Sequence, residues 1–221
     1  MNTNNSSASQ SKFTEQIAIT GIVPVVALDH ADSAVPLAKA LLAGGINFME
    51  ITFRTRAAAQ AIANVSHEVP DMHVGAGTVL TMTQCVQALE NGAQFIVAPG
   101  FSADIVRYCQ ENEIPVVPGC ATPTEITECV RMGLSMVKFF PAKLYGGVSA
   151  IKALHAPFPD LKFLPTGGVN SDNMEEYLKL SCVSAVGGSW VCPKDLIEDG
   201  RFAEITALSR EATDRIRARN A

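Results

Sequence analysis

The chain has 221 residues, of which 48% are hydrophobic and 18% are charged, and its formal net charge is −5 at pH 7. This composition supplies ample apolar material for one buried core, and the negative charge argues against nucleic acid as a partner. No apolar run is long enough to span a bilayer, so we expect no membrane association.

The first segment of the chain, residues 1–11, is rich in Asn and Ser and has no apolar core of the kind that secretory signals carry. We predict a disordered tail over residues 1–11 and a single domain over residues 12–221. The six cysteines are scattered and include no C-x-x-C pair. Such a pattern predicts reduced thiols and a cytoplasmic protein.

Along the rest of the chain, apolar runs typical of buried strands alternate with helical patterns. The eight predicted strands are Ile22–Leu28, Phe48–Phe53, His73–Val79, Phe95–Gly100, Ile114–Cys120, Met136–Pro141, Lys162–Gly167 and Val183–Ser189. Predicted helices include Phe13–Thr20, Ser33–Ala43, Ala57–Glu68, Thr83–Asn91, Ala103–Asn112 and Arg201–Arg219. Residues that favour helix starts or ends support this division, namely Asp32, Thr81 or Thr83, Ser102, Thr122 and Gly133.

Eightfold alternation of strand and helix fits both an open doubly wound sheet and a closed barrel. The count of eight favours closure, and the first strand is not followed by the G-x-G-x-x-G motif of dinucleotide-binding sheets. We therefore predict an α/β fold, a (β/α)8 TIM barrel of one domain. The extra helix at Phe13–Thr20 is expected to plug its lower end.

The sixth predicted strand, in the stretch MVKFFPA (Met136–Ala142), contains a lysine, Lys138, in its middle. A strand lysine can extend its ammonium group to water, and this structural interpretation is the usual one. The chemical alternative is that a buried, neutral amine attacks a carbonyl carbon and forms a Schiff base.

The second predicted strand, FMEITFRT, places Glu50, Thr52 and Arg54 on one face because side chains alternate along a strand. Glu50 and Lys138 occupy comparable positions on opposite strands of the predicted ring. They either form a structural ion pair or share one active cavity. Arg54 lies at the mouth, where a guanidinium group suits a substrate carboxylate.

Two glycine-rich ends follow the seventh and eighth strands, at Thr166–Val169 (TGGV) and Gly187–Trp190 (GGSW). In barrels of this class, phosphate sites use these two loops, where glycine lets backbone N–H groups approach an anion. No metal or other cofactor is predicted, since the four histidines show no ligand spacing. They are His30, His67, His73 and His155.

The motifs MEITFRT, GAGTV, FIVAPG, VPG, VKFFPA, PTGGV and VGGSW occur in this order between Ile17 and Trp190. Together they resemble the 2-keto-3-deoxy-6-phosphogluconate (KDPG) aldolase family, some members of which also act on 4-hydroxy-2-oxoglutarate (KHG). The resemblance implies a metal-independent class I aldolase, a cytosolic homotrimer, and cleavage of KDPG to pyruvate and glyceraldehyde 3-phosphate.

The resemblance also implies roles for individual residues. Lys138 corresponds to the Schiff-base lysine and Glu50 to the acid/base, while Arg54 and Thr78 join Lys138 in binding the pyruvyl portion. The other implied substrate-binding positions, of which the last three form the phosphate region, are Pro99, Phe140, Thr166, Gly167, Gly168 and Ser189.

Two other functions fit the same residues. A phosphosugar isomerase or epimerase would use Glu50 as a base and Lys138 as an electrostatic partner, and a non-catalytic barrel would sense a phosphorylated ligand. Lys143, in the loop AKLYGG, is a rival nucleophile, but a loop lysine is expected to stay hydrated and protonated.

Overall fold

The computed structural model describes residues 3–220, and this part of the chain contains ten α-helices and eight β-strands. The strands are β1 (Ile22–Val26), β2 (Phe48–Thr52), β3 (His73–Gly77), β4 (Ile96–Val97), β5 (Val116–Val117), β6 (Met136–Phe139), β7 (Lys162–Pro165) and β8 (Val186–Gly188). The helices are α1 (Thr3–Thr20), α2 (Ala34–Ala43), α3 (Ala58–Glu68), α4 (Met82–Glu90), α5 (Ala103–Glu111), α6 (Pro123–Arg131), α7 (Gly147–His155), α8 (Met174–Leu178), α9 (Lys194–Glu198) and α10 (Phe202–Asn220).

The strands form one curled parallel sheet of six and a parallel pair. The order in the larger sheet is β5-β4-β3-β2-β1-β8, and β6 pairs with β7. Isolated parallel bridges join the two groups at Gly119 and Lys138 on one side and at Thr166 and Gly187 on the other. The fold is therefore a single α/β domain in which all the carboxyl ends of the strands lie at one edge.

Two strands are much shorter than the sequence predicted. The runs Phe95–Gly100 and Ile114–Cys120 contain regular strand over only two residues each, in β4 and β5. Prolines cause the difference, because Pro99, Pro115 and Pro118 have no N–H to donate to a neighbouring strand.

A small apolar cluster lies among the inward-facing side chains of the strands, separate from the larger core between strands and helices. Helix α1 contributes Phe13 and Ile17 to it, and the Phe13 ring packs against Phe48 and Phe95 with centroid distances of 5.9 and 5.0 Å. The remaining members of this cluster are Val23, Val97, Val117, Met136, Leu164 and Ala185. Helix α1 thus belongs to a cluster whose other side chains come from most of the strands.

Helix α1 begins earlier than predicted, since Thr3–Ser11 is helical where the sequence indicated a disordered tail. Met1 and Asn2 of that predicted tail, and Ala221 of the predicted domain, lie outside the described residues. The Ser9 hydroxyl donates to the Glu113 carbonyl at 2.9 Å, and the Gln10 Oε1 accepts from the Val116 N–H at 3.0 Å. These polar side chains attach the helix to the start of β5, a contact that composition does not reveal.

Most of the predicted helix caps are present. Thr81, Ser102 and Thr122 accept hydrogen bonds from backbone N–H groups at the starts of α4, α5 and α6. The prediction for Asp32 was wrong, because this residue lies inside a 3₁₀ turn that precedes α2 and makes no cap. Within residues 3–220, no helix combines the length and apolar character needed to cross a membrane.

Candidate active site

The centre of the candidate site is an ion pair between β2 and β6. The Lys138 Nζ donates to the Glu50 Oε1 at 3.1 Å, and the two residues are only 4% and 1% exposed. The same ammonium group lies 5.7 Å from the centroid of the Phe140 ring, a side chain that is 38% exposed. Lys138 therefore does not extend to water, and its charge is balanced inside the fold by one carboxylate and one aromatic face.

The glycine at the end of β3, Gly77, provides the space that the Glu50 carboxylate occupies. A Cβ atom at Gly77 would lie 2.9 Å from the Glu50 Oε1 and 3.1 Å from the Thr52 Cγ2. Any larger residue would therefore push the carboxylate away from its present place. The adjacent residue, Thr78, has φ +56°, a left-handed conformation that is strained for a β-branched side chain.

Arg54 reaches the mouth of the site from the loop after β2. Its Nε donates to the Thr52 Oγ1 at 3.0 Å, and the Thr52 hydroxyl donates in turn to the Val26 carbonyl at 2.7 Å. Arg54 is exposed, whereas Thr52 is completely buried. The arginine is thus held at one edge of its guanidinium group and open to solvent at the other.

The loops after β7 and β8 lie side by side. Thr166 is buried and pairs with Gly187, at which a side chain would overlap the Thr166 hydroxyl. Gly167 and Gly168 both have positive φ angles, +94° and +78°, that glycine adopts without strain. Ser189 is exposed at the end of β8.

The rim of the site is formed by Phe140, Pro99 and Lys143. The Phe140 ring edge lies against Gly167, and the Pro99 carbonyl lies against Gly119, which is bridged to Lys138. Lys143 is exposed, and its aliphatic stem packs on Gly168. The two lysines thus differ in exposure, because Lys138 is buried in the ion pair and Lys143 reaches solvent.

The structure brings most of the predicted site residues to the carboxyl edge of the strands. Two groups that the sequence did not assign also belong there, Thr52 and Gly77. Thr52 falls on the face shared by Glu50 and Arg54, so strand alternation provided a signal for it. Gly77 had no such signal in the sequence. A glycine that leaves space for a neighbouring side chain is recognised only when the packing of the two strands is known.

Other ionisable groups lie away from this centre. All six cysteines are free and buried, and burial raises the pKa of the Cys192 thiol to about 12. Among the described residues, no group of three or more His, Cys, Asp or Glu side chains is arranged to hold a metal ion. A cavity of about 770 Å³ opens at the amino ends of β2 and β3, the opposite end from the ion pair.

Comparison with known proteins places this geometry in context. The family model described as KDPG and KHG aldolase matches residues 13–208. The 2-dehydro-3-deoxy-phosphogluconate aldolase of Treponema pallidum is 47% identical over 190 residues, which cover 86% of this chain and 90% of the relative. The KHG/KDPG aldolase of Escherichia coli is 43% identical over 201 residues, which cover 90% and 94%.

A solved structure shows the same similarity in three dimensions. The KDPG aldolase of Legionella pneumophila superposes with a TM-score of 0.86 at 41% identity, over 88% of this chain and 95% of that one. That crystal structure holds pyruvate captured at low pH as a covalent carbinolamine intermediate.

Proposed function

The chain belongs to the KDPG and KHG aldolase family, and on this premise we propose that it is a Schiff-base aldolase of 2-keto-4-hydroxy acids. It cleaves 2-dehydro-3-deoxy-6-phosphogluconate to pyruvate and glyceraldehyde 3-phosphate. It also cleaves 4-hydroxy-2-oxoglutarate to pyruvate and glyoxylate. The observation that carries the proposal is the buried Lys138–Glu50 pair, with 3.1 Å between Nζ and Oε1.

The reaction begins at Lys138. Transfer of a proton along the Nζ–Oε1 hydrogen bond converts ammonium and carboxylate into a neutral amine and a carboxylic acid. The amine adds to the substrate C2 carbonyl to form a carbinolamine, and loss of water leaves an iminium ion on Nζ. Glu50 supplies the proton with which the hydroxyl departs and returns to its carboxylate form.

Carbon–carbon cleavage then uses the iminium as an electron sink. The Glu50 carboxylate takes the proton of the C4 hydroxyl, the C3–C4 bond breaks, and its electron pair moves into the iminium to give an enamine. The aldehyde leaves, Glu50 returns the proton to C3, and water hydrolyses the new iminium to release pyruvate. No electron donor or acceptor outside the substrate and these two residues is needed.

Substrate orientation is assigned to the residues around the pair. Arg54 holds the carboxylate next to the reacting carbonyl, and Thr78, whose backbone is strained, joins it in binding the pyruvyl portion from the residue after β3. Phe140 and Pro99 line the rim of the pocket. Arg54 lies just beyond β2, the strand that carries Glu50, and this placement supports the arrangement, since fixing the carboxylate holds C2 against the amine.

The phosphate end of the substrate is assigned to Thr166, Gly167, Gly168 and Ser189. Because Gly167 and Gly168 carry no Cβ, their backbone N–H groups can approach a bound anion, and the exposed Ser189 hydroxyl can donate to it. The bridge between Thr166 and Gly187 supports a shared site, because it holds the loops after β7 and β8 together.

The proposal also covers barrel closure, cellular location and oligomeric state. The eight strands close into a (β/α)8 barrel whose lower end α1 plugs, supported by the bridges between the two sheets and by the cluster around Phe13. The protein is cytoplasmic, a location that its free buried thiols support, and it is a homotrimer, an assembly that rests on the family resemblance. Sedimentation equilibrium tests the assembly, and three times the chain mass of 23.5 kDa is expected.

Borohydride trapping tests the function itself. Incubation with pyruvate and borohydride should add one pyruvate-derived group, and peptide mapping should place it on Lys138. The Lys138→Arg variant should keep its circular dichroism spectrum and form no adduct, because a guanidinium group does not form the imine. The matched control, Lys143→Arg, should be trapped like wild type.

The remaining outcomes each contradict part of the proposal. An adduct on Lys143 would overturn the assignment of the nucleophile. The absence of any adduct, with turnover of a phosphosugar, would favour an isomerase or epimerase. Activity that is lost with EDTA and restored by a divalent ion would replace the imine with a metal-bound enolate.

A further inference from the structure

Arg54 is hydrogen-bonded to Thr52, whose hydroxyl makes its contacts with Arg54 and Val26 and not with Lys138 or Glu50. The Thr52 hydroxyl has a single hydrogen, and the 2.7 Å contact with the Val26 carbonyl uses it. Its oxygen therefore presents a lone pair to the Arg54 Nε at 3.0 Å. Complete burial of Thr52 and the fixed position of β1 leave the hydroxyl no other orientation that satisfies both contacts.

We infer that Thr52 is a positioning residue that restricts Arg54 to binding the substrate carboxylate end-on, through its two terminal nitrogens. A guanidinium group has two edges that can each bind a carboxylate with a pair of N–H groups, and one of these edges includes Nε. Because the Nε–H is already donated to Thr52, only the edge formed by Nη1 and Nη2 is free. This inference rests on the proposed function, in which Arg54 binds the pyruvyl carboxylate.

The hydrogen bond to Thr52 favours carboxylate binding because it orders the Arg54 side chain before the substrate arrives. Arg54 is an exposed side chain with several rotatable bonds, and an untethered arginine loses that freedom when it binds a carboxylate. The hydrogen bond to Thr52 orders the guanidinium group in the free protein. Strand β2 carries both Thr52 and, two residues earlier, Glu50. It therefore sets the distance between the carboxylate site at Arg54 and the acid/base.

The test measures the pyruvate concentration that gives half-maximal borohydride trapping. Thr52→Val should raise it about tenfold, the scale of one hydrogen bond to a charged group, while the final extent of trapping stays at the wild-type level. Thr52→Ser keeps the hydroxyl and should stay within about twofold of wild type on the same scale. Thr52→Ala replaces Thr52→Val if the valine variant does not fold by circular dichroism.

A double-mutant comparison separates positioning from a general structural role. Arg54→Met should raise the half-saturating pyruvate concentration, and adding Thr52→Val to it should cause no further rise. An equal rise in both backgrounds, or no rise in wild type, would overturn the role of Thr52. If wild-type protein does not trap pyruvate at all, the proposed function fails, which is a distinguishable result.

Discussion

At the scale of single residues, the Lys138–Glu50 pair is a poor device for stability alone. Both side chains are removed from water, and replacing such a pair with apolar residues of similar volume is often neutral or stabilising. The pair therefore calls for a chemical purpose, and amine addition followed by proton transfer provides one. In the proposed mechanism its two members have separate tasks, so substitutions can separate them.

The Glu50→Gln variant should lower kcat by about two to four orders of magnitude, the usual loss when a general acid/base is removed. The amide keeps the size of the side chain and a hydrogen-bond acceptor for Lys138, but it cannot take the C4 hydroxyl proton. Borohydride trapping should be slower and still reach completion, because the amine is unchanged. Steady-state cleavage and the trapping rate are the two measurements.

The matched control is Glu204→Gln, since Glu204 is an exposed carboxylate that pairs with Arg201 on the surface. Its kcat should equal that of wild type. Should Glu50→Gln also leave kcat unchanged, Glu50 would be only a structural partner of Lys138.

Much of this residue-level arrangement is predictable from the sequence. Strand alternation placed Glu50, Thr52 and Arg54 on one face, but β2 ends at Thr52, so only Glu50 and Thr52 share a strand face, and Arg54 contacts Thr52 from the loop that follows. The hydrogen bond from Arg54 to Thr52 was not predictable, because it depends on the rotamer of the arginine side chain. The contact of Glu50 with Gly77 requires knowledge of which strands are neighbours and in which register.

At the scale of elements, the glycines of β3 leave space that side chains from neighbouring segments fill. The strand contains two glycines, and the ring of Phe95 lies where Gly75 would otherwise carry a side chain. Gly77 does the same for the Glu50 carboxylate. The sequence predicted the strand well, but the short β4 and β5 differ because prolines interrupt their hydrogen bonding. Glycine and proline thus decide where these strands have space and where they end.

The Gly77→Ala variant should lower kcat at least tenfold, because one methyl group would lie 2.9 Å from the Glu50 Oε1 and displace it. The φ angle of Gly77 is not in the left-handed region, so the effect should arise from the contact and not from the backbone. The matched control is Gly100→Ala, where a Cβ would meet nothing within 4 Å and kcat should not change.

Thermal unfolding of both variants completes this test. A Gly77→Ala protein with wild-type kcat would mean that the carboxylate tolerates displacement. A protein that loses stability and activity in parallel would indicate that β3 as a whole is disrupted, and not the position of Glu50.

At the scale of the whole molecule, the buried thiols link folding to pH. Cysteines are buried in several different elements, and burial is the leading cause of the raised pKa values of Cys182 and Cys192. For Cys109 and Cys120 the first cause of the raised pKa is a hydrogen bond to a neighbouring thiol. The partner of Cys109 is Cys85, and the partner of Cys120 is Cys129. In the folded protein Cys109, Cys120, Cys182 and Cys192 therefore keep protons that the unfolded chain releases as the pH rises above about 9, whereas the hydrogen bond with Cys109 lowers the pKa of Cys85.

Cys192 provides the clearest prediction, because its folded pKa is about 12 against an ordinary value of 9.0. A raised folded pKa contributes stability that is fully present below the unfolded pKa and is lost as the pH rises towards the folded one. At pH 10 the free energy of unfolding should have lost about 1.4 kcal/mol through this thiol relative to pH 7.5.

Urea unfolding of wild type and Cys192→Ala at both pH values isolates the effect, since lysines and tyrosines titrate equally in the two proteins. The alanine variant, which is less stable at pH 7.5 because it loses a buried sulfur, should therefore approach wild type at pH 10. An identical stability difference at the two pH values would mean that burial does not raise the pKa of Cys192 in the folded protein.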